Sequence, residues 1–186
     1  MVCETKGDGR CMYRAFAKGS NEGAPLDPEQ ETKEADRLRD IGVSAMGGDA
    51  RHHLEGTVHM NANESIEDRM HRMRRPDEFA ESAEVMALSI AMRRPVTVLV
   101  RRHRHRVDYN TVYTREDFET VLEVNPPQAT ANRIFLFHED QHYSAVRLVT
   151  RRVRVRESCP QGFYSVVRCM CRVRRRSAIR SGSLSS

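Results

Sequence analysis

The sequence predicts an α+β domain, a small and mostly antiparallel sheet flanked by helices. Three observations point there. Apolar residues recur at helical spacing from residue 11 to residue 92, and runs of β-forming residues come only afterwards, at 96–100, 134–137 and 143–149. Helices first and strands later is the order of an α+β layer arrangement. The length of 186 residues suits one domain with a tail. The domain is expected over 1–149, and 150–186 reads as a basic, Arg-rich, partly disordered tail.

Taken in order, Gly7-Asp8-Gly9-Arg10 reads as a tight turn, followed by a short helix over 11–18 closed by Gly19. Asp27-Pro28-Glu29-Gln30 has the cap, first-turn proline and reciprocal polar residue of a helix start. Ala35, Leu38 and Ile41 continue that helix to an expected end near Gly42, and Gly47-Gly48 marks a loop. Ile66, Met70 and Met73 repeat at helical spacing before Arg74-Arg75-Pro76 ends the segment. The clearest helix is expected over 76–92, with Phe79, Ala83, Met86 and Ile90 on one face and Val85, Leu88 and Met92 widening it.

Val96-Thr97-Val98-Leu99-Val100 has the composition of a strand buried on both faces. An exposed turn at 103–106 leads to a second short strand near 107–109. Thr114 and Asp117 frame an expected short helix carrying Phe118, Val121 and Leu122. Asn125-Pro126-Pro127 breaks the chain, and an antiparallel hairpin over 134–137 and 143–149 turns at 139–141. Residues 152–156 alternate like a strand, and the last ten or so residues read as disordered.

Hydrophobic residues make up 39% and charged residues 31%, so a modest core under a heavily solvated surface is expected. Neither a membrane-length apolar stretch nor a signal-peptide apolar region is present, which makes an intracellular protein, cytoplasmic or nuclear, the expectation. Five cysteines without framework spacing argue against a disulfide scaffold and for at least one free thiol. The net charge of +5 hides a division: residues 147–186 hold eleven arginines against Glu157 and carry +10, leaving −5 on residues 1–146. The acidic body suits a basic peptide, and the tail suits nonspecific contact with an acidic partner.

The residue with chemistry in it is Cys11. A thiol at a helix N-terminus is favoured as thiolate by the unpaired N–H groups and the dipole. A cysteine nucleophile needs a base, and His142 at the entry to the last strand supplies one. Pairing with the imidazole is expected to lower the thiol pKa from about 8.5 to well below 7. Backbone amides of Gly9, Arg10 and Cys11 are the expected oxyanion donors, and Arg10 adds a cation that steers substrate or favours the thiolate. His138 reads as structural. Cys159 and Cys169-Met170-Cys171 lack the paired spacing of a zinc site, so neither metal nor cofactor is expected.

Three blocks in order resemble the OTU (ovarian tumour) family of cysteine proteases. They are Asp8-Gly9-Arg10-Cys11-Met12-Tyr13-Arg14-Ala15, the helix-to-strand segment 79–100 with Glu84 inside the helix, and the strand, turn and His142-Tyr143 pair within 134–146. The resemblance spans residues 7–149. It implies a papain-like OTU fold and a thiol-dependent deubiquitinase that hydrolyses isopeptide bonds after the C-terminal glycines of ubiquitin or a similar modifier.

By the same resemblance Cys11 is the nucleophile, His142 the base and acid, and Asp8 a member of the catalytic set. Many members place Asn or Asp two residues after the histidine to orient its ring, and Ser144 occupies that position here. Asp8 is the other candidate for that task, beside a role bracing the turn. Tyr143 is expected to pack under the histidine and border the groove for the substrate's glycine-glycine end. Glu84 reads as structural. The family's tryptophan upstream of that glutamate is missing, and Phe79 is expected to fill its space. Family members carry a helix and loop before the nucleophile motif, whereas six residues precede Gly7, so a shortened N-terminus is implied. Ubiquitin or polyubiquitin is the implied partner. The alternative reading is a catalytically inactive OTU-like module that binds ubiquitin, and a third, resting on the tail alone, is a basic nucleic-acid binder.

Overall fold

The computed structural model of the protein describes residues 2–21, 26–55, 64–102 and 113–148. The turn expected at 103–106, the strand near 107–109, the tail and its three cysteines lie outside them. No helix among the described residues is long and apolar enough to cross a membrane.

Five strands form one sheet in the order β1-β5-β4-β2-β3, with β1 Val2–Cys3, β2 Val96–Arg101, β3 Phe118–Val124, β4 Ile134–Glu139 and β5 His142–Val146. Only the β2–β4 pairing is parallel, placing Val96 opposite Ile134 and Leu99 opposite Phe137; the other three pairings are antiparallel. The expected α+β architecture is therefore the observed one. Strands β4 and β5 join through Asp140 and Gln141, whose φ of 54° and 104° give the two left-handed residues that a twisted two-residue hairpin turn requires.

Helix α1, Cys11–Ser20, packs on β4 and β5 and is buried from Cys11 through Ala17. Helix α2, Pro28–Gly47, packs on α1 and on α5, Ser82–Ala91. Between them lie two shorter helices, α3 Arg51–Leu54 and α4 Ile66–Met73. The main core joins Met12, Phe16, Leu38 and Leu88 from the helices to Val96, Val98, Ile134 and Leu136 from the sheet. Close-packed contact of this kind holds α1 as a rigid mount against the hairpin.

The Asp27 cap forms as expected, its Oδ1 accepting the N–H of Glu29 at 3.0 Å and of Gln30 at 2.9 Å. Helix α2 nevertheless runs past the expected end at Gly42. A Cβ there would sit 3.5 Å from Leu88 and 3.8 Å from Tyr13, so this glycine is a packing slot between helices and not a stop.

Helix α5 begins at Ser82 instead of residue 76. A reciprocal capping box between Glu81 and Glu84 starts it, and the preceding segment is drawn away by the buried Arg39. Phe79 consequently lies outside the helix and is exposed, correcting its expected place on the buried face. A second correction concerns Phe118, Val121 and Leu122. Thr114 and Asp117 cap only a single 3-10 turn, Arg115–Asp117, after which the chain pairs with β2 as strand β3. β-Branched Thr120 and Val121 suit that pleated edge better than a helix.

Candidate active site

Asp8 builds the turn before the nucleophile. Its Oδ1 accepts the Arg10 N–H at 3.0 Å, and its carbonyl accepts the Cys11 N–H at 2.9 Å. Its Oδ2 meets the Arg14 guanidinium at 3.3 Å, and Arg14 in turn reaches Glu31 and Thr32 on α2. Asp8 thus braces the turn, the second of the roles open to it in the sequence. Two of the three expected oxyanion amides, those of Arg10 and Cys11, are occupied within the turn. Arg10 places its Nε 2.6 Å from Asp36, so its charge is partnered on α2.

Cys11 is the first residue of α1 and fully buried. Its thiol lies against the backbone just before His142, where Sγ donates to the Gln141 carbonyl at 3.9 Å. Burial pushes the Cys11 thiol up, and the Asp8 charge adds to it, while backbone N–H groups of Tyr143, Met12 and Cys11 favour the thiolate. The direction is opposite to the expected fall of the thiol pKa. Loss of water around the sulfur is the largest cause, and the sulfur's hydrogen bond goes to the Gln141 carbonyl.

His142, first residue of β5, is half-buried. Its Nε2 lies 3.2 Å from the Thr5 hydroxyl, which also donates to the Tyr143 carbonyl at 2.5 Å. Its Nδ1 is buried and has no hydrogen-bond partner among the described residues; the position of a Cβ on Gly7 would be 3.8 Å from it. Ser144 is fully buried, and its hydroxyl likewise has no partner among the described residues. The side-chain hydrogen bond of the His142 ring is thus with Thr5, a residue the sequence did not single out. A polar residue two positions beyond strand β1, which pairs with β5, was the signal available.

Tyr143 stacks on His138, ring centroids 4.4 Å apart, and not beneath His142. It lines a cleft of about 560 Å³ together with Gln141, Phe79, Glu81, Val98 and Leu122. Burial pushes the Tyr143 hydroxyl above its ordinary range, so it remains a neutral wall. Glu84 is fully buried and paired with Arg69 at 2.7 Å, consistent with a structural role.

The family profile described as OTU-like cysteine protease matches residues 6–143. A curated relative, ovarian tumor domain-containing deubiquitinating enzyme 3 of Arabidopsis thaliana, is 32% identical over 109 residues, 56% of this chain and 47% of that protein. The chain thus spans about half the length of this relative. Among solved structures, the viral OTU domain protease of Taggert virus superposes with a TM-score of 0.54 at 17% identity, covering 78% of this chain and 77% of that one. The Hazara virus OTU bound to ubiquitin superposes with a TM-score of 0.50 at 15% identity, covering 81% and 82%. At these identities the superpositions show a shared fold.

Proposed function

The chain belongs to the OTU-like cysteine proteases, and from that membership we propose that it is a thiol-dependent deubiquitinase acting through Cys11 and His142. The observation that carries the reading is the seat of Cys11. A buried thiol at the first position of α1 lies 3.9 Å from the carbonyl of Gln141, the residue before His142. Ubiquitin as substrate is supported by the curated deubiquitinating relative and by the ubiquitin-bound Hazara virus structure of the same fold.

In this reading substrate entry turns the site from its resting state to its reactive one. His142 Nδ1 takes the proton of Cys11, and the thiolate attacks the carbonyl carbon of the terminal glycine, forming a C–S bond. The carbonyl electron pair moves onto oxygen, where backbone amides of the 8–11 turn receive it once the Arg10 N–H leaves Asp8. On collapse the C–N bond breaks, and His142 passes its proton to the departing lysine amine. Water, deprotonated by His142, attacks the thioester; the C–S bond breaks and ubiquitin leaves with a free carboxylate. The cleft bordered by Tyr143 and Gln141 receives the glycine tail.

The full burial of Cys11 and the engagement of its sulfur by the Gln141 carbonyl favour a second reading, an OTU-like module that binds ubiquitin and does not cut it. Turnover of ubiquitin carrying a C-terminal amide-linked fluorophore, with binding measured by calorimetry, separates the two. Turnover lost in Cys11→Ala with binding kept supports the protease. Binding without turnover supports the module, and the absence of both contradicts each.

A further inference from the structure

We propose that Thr5 is the positioning residue of the catalytic histidine, taking the task that the resemblance gave to Ser144 or Asp8. The inference rests on the protease reading above and deepens it. Thr5 sits just beyond β1, whose pairing with β5 fixes Val2 opposite Val146 and Cys3 opposite Ala145. That register carries Thr5 back along β5 to its first residues. The side chain is nearly fully buried, at 5% exposure.

A threonine hydroxyl has one proton to donate and two lone pairs. Here the proton is committed, because Oγ1 donates to the Tyr143 carbonyl at 2.5 Å. The same oxygen lies 3.2 Å from His142 Nε2, so in that contact it accepts, and Nε2 carries the hydrogen. A neutral imidazole has one N–H, which leaves Nδ1 as the unprotonated nitrogen. Nδ1 is also the ring atom that is buried without a partner among the described residues. One hydroxyl therefore sets both the tautomer and the ring plane, and it leaves unprotonated Nδ1, the nitrogen to which the protease reading assigns the thiol proton.

The competing groups are committed elsewhere or idle. Both carboxylate oxygens of Asp8 are engaged, by the Arg10 N–H and the Arg14 guanidinium. The Ser144 hydroxyl is buried without a partner among the described residues. A hydroxyl is neutral and steadies an imidazolium less than a carboxylate does, so Thr5 orients the ring more than it charges the site.

The test compares wild type, Thr5→Val, Thr5→Ser and Ser144→Ala in hydrolysis of the ubiquitin–fluorophore amide, with nitrogen-15 NMR of the His142 ring. Wild type is expected to show the Nε2–H tautomer. Thr5→Val, of nearly the same shape, is expected to lose about tenfold or more in kcat with KM held, and Thr5→Ser to recover most of it. An Nδ1–H tautomer in wild type overturns the proposal, as does full kcat in folded Thr5→Val. A loss confined to Ser144→Ala would return the task to that residue. Should Thr5→Val fail to fold, the wild-type tautomer and the Thr5→Ser rate still decide. Wild type that binds ubiquitin but turns nothing over defeats the protease reading instead, and the tautomer still reports on the Thr5 contact.

Discussion

Arg39 Nη2 donates to the Gly9 carbonyl at 2.6 Å, tying the middle of α2 to the turn that carries the nucleophile. The same guanidinium bonds the carbonyls of Met73, Arg75, Pro76 and Glu78, and it lies 4.9 Å from the Tyr13 ring centroid. A buried cation is thereby solvated by backbone dipoles. Its fork reaches two chain segments at once, and this holds residues 73–78 against Gly9 closely enough that a Cβ on Gly9 would fall 2.6 Å from the Pro76 carbonyl oxygen.

Arg39→Leu should therefore strip several buried carbonyls of their donor, destabilising the fold by about 3 kcal/mol or more, since each unsatisfied group costs roughly 1–3 kcal/mol. Arg39→Lys should recover little, because one ammonium on a flexible stem cannot span the fork's contacts. Urea denaturation reads both. A Lys variant as stable as wild type would show that charge alone suffices.

Arg69 and Glu84 form a second buried device, both fully inaccessible, with Nε to Oε1 at 2.7 Å and Glu81 and Glu64 completing the cage. Burial works against the Arg69 charge, but the bonds to Glu84 and Glu81 outweigh it and raise its pKa. Removing one partner, as in Glu84→Ala or Arg69→Met, should cost about 3–5 kcal/mol because an unpaired charge is left inside. Replacing both by apolar residues of similar volume should cost less than either alone. A double variant showing the sum of the two losses would contradict this.

His138 should give the fold a pH dependence. Burial lowers its pKa, Asp140 opposes that shift and His142 reinforces it. A depressed folded pKa contributes stability present above the unfolded value of about 6.5 and lost as pH falls through the folded value. The urea midpoint should drop from pH 7 to pH 5, and His138→Phe, which keeps a ring against Tyr143, should flatten that drop. An unchanged slope in the variant would remove His138 as the source.

What the sequence made legible was what short-range chemistry decides. The Asp27 cap, the 66–73 helix, the β2 run and the 134–146 hairpin were readable because caps, periodicity and turns are written locally. Local preference misleads where tertiary contact overrides it. Gly42 reads as a stop, yet Tyr13 and Leu88 pack over it within a continuing helix. The 76–81 segment reads as helix, yet Arg39 claims its carbonyls. Phe118 to Leu122 follow a helix cap, yet β2 offers a ladder. At the site Cys11 and His142 were legible as a pair of residue types. The Thr5 contact was not, because the β1–β5 register that creates it joins residues more than a hundred positions apart.

The most direct test of the account is reaction of the full chain with ubiquitin bearing a C-terminal electrophile, followed by mass spectrometry of the modified peptide. One adduct is expected, located on Cys11, absent in Cys11→Ala and markedly slowed in His142→Ala. Without ubiquitin, a small alkylating reagent should react slowly at neutral pH, its rate climbing in the alkaline range as the buried thiol ionises. An adduct on another cysteine, or one that persists in Cys11→Ala, would contradict the assignment of the nucleophile.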